Sequence, residues 1–286
     1  MEKLDRLVWA DGLSINSYGV RVGLRVNDAA ILPDVIARLP PEWKPSPALV
    51  VDHLYSVIGG GAKADAKVRR LNLAYWNLLR IARSRKFDEV LDGFESHVQL
   101  TVAEHAPRRV FVHAGVVGWN GRAIVIPGLS HSGKTTLVHQ LVRAGATYYS
   151  DEYAVLDARG RVHPYPRPLG MRTPDSTETK KVSAAEIGAT IGTRPLRIGL
   201  VLSTSFKKGA RFRPRELSRG QGVLELLANT VSARTQPRLA LEALPKALES
   251  SQVLKGARGE ASEIVETILG RVSRSSTIYL RNRKQR

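Results

Sequence analysis

The stretch Gly128-Leu-Ser-His-Ser-Gly133-Lys134-Thr135 decides how this chain is read. It fits the pattern Gly-x-x-x-x-Gly-Lys-[Ser/Thr], follows the apolar run Arg122-Ala-Ile-Val-Ile-Pro127 and opens the helix-like run Thr136-Leu-Val-His-Gln-Leu-Val-Arg143. Strand, loop and helix in that order are the context a phosphate-binding loop needs. The glycines let the backbone turn and aim its N–H groups at an anion, and the helix N-terminus adds partial positive charge at the same point. The expected nucleotide cradle is therefore Gly128, Leu129, Ser130, His131, Ser132, Gly133, Lys134, Thr135 and Thr136. Within it, Lys134 would reach the β/γ-phosphates of ATP and the Thr135 hydroxyl would ligate Mg²⁺.

Working outward, residues 109–119 and 122–127 are apolar segments joined by Asn120-Gly121, a strong hairpin signal. The loop is thus expected to be fed by the second strand of a hairpin. Past the loop helix, Gly145 is the expected stop, and the strand-like 146–150 leads into Asp151-Glu152. Phosphoryl transfer needs a carboxylate near the phosphates to orient or deprotonate the acceptor, and this pair is the obvious source. His113 lies on the first hairpin strand, whose partner runs straight into the loop. It is either a hydrogen-bonded core histidine or a neighbour of the phosphates.

Two further strands are expected at 153–156 and 161–163, then a proline-rich, basic surface loop at 164–174. A buried strand at 196–203 and helices at 223–231, 239–248 and 260–269 complete the C-terminal part. Before Pro107, the alternation at 18–28 predicts a strand. A helix through 36–39, a strand at 48–58 and a helix at 87–105, with Val90, Leu91, Phe94, Val98 and Val102 on one stripe, follow. The expected division is an N-terminal α+β module at 1–107 and a nucleotide-binding domain at 108–286.

Composition bounds the function. The 286 residues are 43% apolar and contain no cysteine, which rules out a disulfide framework, a thiolate metal site and a cysteine nucleophile. Nothing approaches a membrane span, and Met1-Glu-Lys-Leu-Asp-Arg is not followed by a signal-like apolar segment, so a cytoplasmic protein is expected. With 44 Lys+Arg against 26 Asp+Glu the net charge is +18, which attracts polyanions without naming one. Because the charge runs lack interleaved aromatics, solvated surface is favoured over a dedicated nucleic-acid face. Arg167, Arg172, Arg211 and Arg213 are either such surface or a clamp on phosphate or acceptor.

Val112-His113-Ala-Gly-Val, then Pro127-Gly128-Leu-Ser-His-Ser-Gly-Lys-Thr135, then Arg143-Ala-Gly-Ala-Thr-Tyr-Tyr-Ser-Asp151-Glu152 resembles the catalytic core of HPr kinase/phosphorylase and its kinase-like relatives. That family shares a P-loop core with ATP-type phosphoenolpyruvate carboxykinases. The resemblance covers roughly residues 109–172. It implies an α/β fold: a mixed sheet of the HPr kinase type bearing the loop, an N-terminal α+β module and C-terminal helices. It also implies that Thr135 and Glu152 lie at the magnesium ion, that Asp151 is the general base toward an acceptor hydroxyl, and that His113 touches phosphate or supports a residue that does. A homo-oligomer is implied as well. Two departures stand out: the family's acidic pair is usually two aspartates, and its downstream signature around a glycine-rich, acid-containing strand is not found here, which weakens the case for HPr itself as acceptor more than the case for ATP.

The function expected from this reading is transfer of the γ-phosphoryl group of ATP to a hydroxyl of a protein, peptide or small molecule. The alternative is a nucleotide-binding ATPase or switch whose basic surface docks on nucleic acid or an acidic partner. The acidic pair separates the two, because a pure binding module has no use for a base.

Overall fold

The computed structural model describes residues 4, 7–60, 71–128, 132–172 and 179–283, and these form two compact units that meet in sequence between Arg108 and Arg109. Leu129, Ser130 and His131 of the expected cradle, and the cations Lys63, Lys67, Arg69 and Arg70, lie outside the described residues. So do the side chain of Arg172 and the end of the basic tail.

The first unit is a six-stranded mixed sheet with one long helix. In chain order it has β1 (Asp11–Ser17), β2 (Val20–Val26), α1 (Leu32–Ile36), β3 (Lys44–Pro45), β4 (His53–Ile58), β5 (Asn72–Trp76), β6 (Leu79–Ser84) and α2 (Phe87–His105), with the strands ordered β3-β1-β2-β4-β5-β6. The predicted stripe of α2 is buried, and Tyr55 meets Phe94 edge-on at 5.4 Å between ring centres. The strand expected at 18–28 is half of a hairpin: Tyr18 (φ 52) and Gly19 (φ 92) reverse the chain, and β1 pairs back along β2. The strand expected at 48–58 is shortened to β4, with Leu49 and Val50 exposed ahead of it. The helix expected through 36–39 instead ends at Ile36.

The second unit continues with β7 (Val110–Trp119), β8 (Arg122–Pro127), α3 (Lys134–Arg143), β9 (Thr147–Ser150), β10 (Tyr153–Leu156), β11 (Arg161–His163), β12 (Leu169–Arg172) and β13 (Thr179–Val182). It ends with β14 (Leu196–Phe206), β15 (Arg215–Glu216), α4 (Arg219–Leu227), α5 (Pro237–Ala247), β16 (Gln252–Arg258) and α6 (Val265–Arg283). Asn120 (φ 47) and Gly121 (φ 73) both take the left-handed conformation of a two-residue hairpin turn whose twist matches its strands.

The main sheet runs β11-β10-β7-β8-β14-β16-β15, with β9 also on β7. It is mixed: β7 and β8 are antiparallel, while β8, β14 and β16 are parallel. Both faces are covered, which is why β8 reads as an unbroken apolar run rather than an alternation. Ala123, Val125, Val201 and Val253 face Leu226 of α4 and Ala243 and Leu244 of α5. Ile124, Ile126, Leu200, Leu202 and Leu254 face Leu137, Val138 and Leu141 of α3 and Ile268 of α6.

Several sequence expectations are revised. The end of the expected 164–174 loop is β12, which forms a small ribbon with β13. The first C-terminal helix starts earlier than expected, at Arg219, where Ser218 and Gln221 close a capping box, and it stops at Leu227. The helix expected at 260–269 starts at Val265, after a short 3-10 turn, and runs on to Arg283. Strand β16 was not anticipated, because only Val253 and Leu254 signal it.

Candidate functional site

The parallel strands bring their C-terminal ends to one edge of the sheet, the place where open α/β sheets bind ligands. There Pro127 gives way to Gly128, and Phe206 lies in register with Arg258. Antiparallel β7 reaches the same edge from the other direction. The His113 carbonyl accepts from the Gly128 N–H at 3.2 Å, and the next N–H, of Ala114, donates to the Glu152 carbonyl at 3.1 Å. His113 is therefore the backbone junction between the start of the loop and the acidic pair.

Gly133 caps α3 with φ +83, a left-handed conformation that side chains rarely adopt. Lys134 follows as the first helical residue. It is buried, 9% exposed, and its Nζ donates to the Gly128 carbonyl at 2.7 Å, closing the loop on itself. Burial lowers the Lys134 pKa, and the nearby Glu152 and Asp151 charges oppose that shift. Gly115 of β7 lets this helix approach: a Cβ there would stand 2.5 Å from Val138 Cγ2.

Asp151 is nearly buried, at 8% exposed. The Thr135 hydroxyl donates to its Oδ2 at 3.4 Å, the Gly170 N–H donates to the same oxygen at 3.3 Å, and the Tyr148 hydroxyl lies 3.2 Å from Oδ1. That Tyr148 proton is shared, since the Arg167 carbonyl is nearer at 2.8 Å. Burial raises the Asp151 pKa, the adjacent Glu152 adds to this, and the Gly170 and Tyr148 hydrogen bonds work against it.

Glu152 points elsewhere. Its side chain is 39% exposed, and Oε1 sits 3.6 Å from His113 Nδ1, too long for a hydrogen bond but close enough for charge coupling. Burial lowers the His113 pKa, with Glu152 pulling it up and Lys134 pushing it down. Thr136 is exposed on the first turn of α3. Lys134, Thr135, Asp151, Glu152 and His113 are thus brought to one edge, as are the two described ends of the loop.

Sequence reasoning missed Arg258. It comes from the end of β16, is 2% exposed, and donates from Nη2 to the Gly133 carbonyl at 2.8 Å and from Nη1 to the Gly259 carbonyl at 3.0 Å. The only trace of it in the sequence is an arginine-glycine pair just after a short apolar run. Of the four arginines considered as a clamp, Arg167 acts electrostatically on Asp151, while Arg211 and Arg213 are exposed on the segment after β14.

Three buried polar atoms around the cradle have no hydrogen-bond partner among the described residues: Ser132 Oγ, His113 Nδ1 and Arg258 Nε. Such groups are costly to bury unless something polar meets them. Their chemistry, together with the Gly133 N-terminus of α3, suits an anion. Thr135 Oγ1 and Asp151 Oδ2 are hard oxygen donors of the kind Mg²⁺ takes. Among the described residues no group of three or more His, Cys, Asp or Glu is placed to hold a metal ion.

No family model matches the chain, and no curated protein matches it. Among solved structures, it is similar to the Hpr(Ser) kinase/phosphatase from Coxiella burnetii at 13% identity and a TM-score of 0.34, over 58% of this chain and 97% of that one. No helix among the described residues is long and apolar enough to cross a membrane.

Proposed function

We propose that the chain is an ATP-dependent kinase that moves the γ-phosphoryl group to a hydroxyl acceptor. One observation carries this reading: Thr135, the residue after Lys134 at the start of α3, has its hydroxyl 3.4 Å from Asp151, and Asp151 is followed by a second carboxylate that is partly exposed. A nucleotide-binding module would need the first carboxylate but not the second.

In this reading Lys134 leaves the Gly128 carbonyl for the phosphates, and the N–H groups at the start of α3 hold them. Thr135 and Asp151 would hold Mg²⁺, which neutralises charge on the phosphate oxygens when bound. The acceptor hydroxyl oxygen attacks the γ-phosphorus, the bond to the β–γ bridging oxygen breaks, and ADP departs with that electron pair. The hydroxyl proton passes to Glu152, the carboxylate that an incoming group can reach. His113 sits beside it to steady the charge. This assignment exchanges the two roles implied by the family resemblance, because Asp151 already receives the Thr135 hydroxyl and has little exposed surface.

Incubation with γ-labelled ATP and hydroxyl-bearing peptides should give labelled peptide and ADP. Glu152→Gln should cut transfer by about 10² to 10⁴ while leaving ATP binding in place, the range expected for loss of a general base. Full transfer by that variant would remove Glu152 from the role. Hydrolysis to free phosphate with no labelled acceptor would favour the ATPase reading instead.

A further inference from the structure

The run from the end of β14 into the first residue of β15, Lys207-Lys-Gly-Ala-Arg-Phe-Arg-Pro-Arg215, holds five cations and no carboxylate. Lys207, Lys208, Arg211, Arg213 and Arg215 are all exposed, and the side chains of the first four make no ion pair with a described residue. Nearly all of the chain's net charge of +18 belongs to residues 109–286, so the surroundings do not cancel this cluster. Glu216 follows the run in sequence, the Glu263 carboxylate lies against Gly259 beside the Ala210 carbonyl, and Glu225 is taken up by Lys255.

Its position ties it to the site. The Lys207 N–H donates to the Arg258 carbonyl at 2.8 Å, and the Arg258 guanidinium holds the Gly133 carbonyl at 2.8 Å. Phe206 Cβ stands 3.8 Å from where a Cβ on Gly133 would be. The Ala210 N–H closes a turn on the Lys207 carbonyl, and Pro214 packs on Gly256, so the segment is pinned along the end of β16. The cationic run therefore begins where the phosphate loop meets its helix.

An acceptor that reaches a phosphate held at the start of α3 would have this run as its neighbour. Exposed cations select an anionic partner and speed its arrival. A single-stranded nucleic acid would also want aromatic rings on which to stack bases. The run holds no row of such rings: Phe212 packs against the core, and the adjoining Phe206, 49% exposed with the Arg258 guanidinium 5.8 Å from its ring centre, is a single ring. We propose that the acceptor is an acidic polypeptide segment, a serine or threonine flanked by aspartate and glutamate, docked on Lys207, Lys208, Arg211 and Arg213. This inference rests on the kinase reading and names its substrate class.

The test uses the full chain, a fluorescein-labelled peptide with one serine among aspartates and glutamates, an oligothymidylate of equal length, and a fluorescent ATP analogue. The expected result is peptide binding that weakens about tenfold or more in K207E/K208E/R211E/R213E, with the glutamine set K207Q/K208Q/R211Q/R213Q in between and ATP-analogue binding unchanged. Peptide binding that ignores both variant sets overturns the inference while leaving the kinase reading standing. Tighter binding of the oligothymidylate than of the peptide overturns it too. Failure of the native chain to bind the ATP analogue overturns the kinase reading, and this inference with it.

Discussion

Arg258 donates from Nη2 to the carbonyl oxygen of Gly133 at 2.8 Å, joining the end of β16 to the start of α3 across 125 residues of sequence. The guanidinium is buried, and burial lowers its pKa, with Glu260 opposing the shift. A buried cation held mainly by carbonyl dipoles is a weak contributor to stability, because its desolvation offsets its hydrogen bonds.

Arg258→Met should therefore separate stability from function. Removing the guanidinium leaves two carbonyls short of a donor, at about 1–3 kcal/mol each, but also relieves a buried charge, so the urea midpoint should move little. Affinity for an ATP analogue should drop about tenfold, as Gly133 is released from its fixed orientation. A variant that binds the analogue as the native chain does would detach Arg258 from the loop.

Gly115→Ala tests how closely α3 must lie on β7. The added methyl group would meet Val138 Cγ2 at 2.5 Å, and Lys134 Cβ is only 3.8 Å away. Overpacking of this kind costs about 1–3 kcal/mol. Urea unfolding should show that loss, together with weaker ATP-analogue binding as Lys134 is displaced. Unaltered stability would mean that α3 shifts freely.

Asp151→Asn keeps the shape and can still accept from Thr135, but it loses the charge. The Mg²⁺ concentration that half-saturates ATP-analogue binding should rise about tenfold or more, while binding measured with a chelator present stays the same. An unchanged Mg²⁺ requirement would place the metal elsewhere.

The first unit should weaken in acid. His53 Nδ1 accepts the Trp76 Nε1–H at 3.2 Å, so the His53 ring must be neutral to make this bond, and the His105 ring lies 4.6 Å away, centre to centre. Burial, then repulsion from His105, lowers the His53 pKa below its ordinary 6.5, and burial does the same at His97. With folded values below the unfolded one, the unfolded chain binds more protons in this range, so stability rises with pH. The urea midpoint should fall as pH drops below about 6.5 and level off only beneath the folded pKa. His53→Gln should flatten this dependence; an equally steep profile in that variant would acquit His53.

Much of the site was legible because it is local. A loop, its feeding strand and its helix occupy one continuous stretch, and Asn120-Gly121 names its own turn. The 19 residues of α2 show the same thing, since their apolar stripe fixes type and limits together. Strands β1, β5, β6 and β16 were missed because their mixed polar and apolar patterns become informative only beside a partner. The divided directions of Asp151 and Glu152 were equally invisible, since neighbouring residues at a strand end can turn to different sides.

By itself, then, the sequence determined that a glycine-bounded loop joins a hairpin strand to a helix, which residues lie beside that loop along the chain, and that the chain carries a large excess of positive charge. Backbone conformation and helix initiation depend on near neighbours, so those features survive in one dimension. Tertiary structure alone decided that Arg258 closes on Gly133, that Asp151 takes the Thr135 hydroxyl while Glu152 turns to His113, and that the Lys207–Arg215 cations border the loop. The first and last depend on the parallel alignment of β8, β14 and β16, and the second on the antiparallel pairing of β9 and β10 with β7; both are long-range packing that no local pattern records.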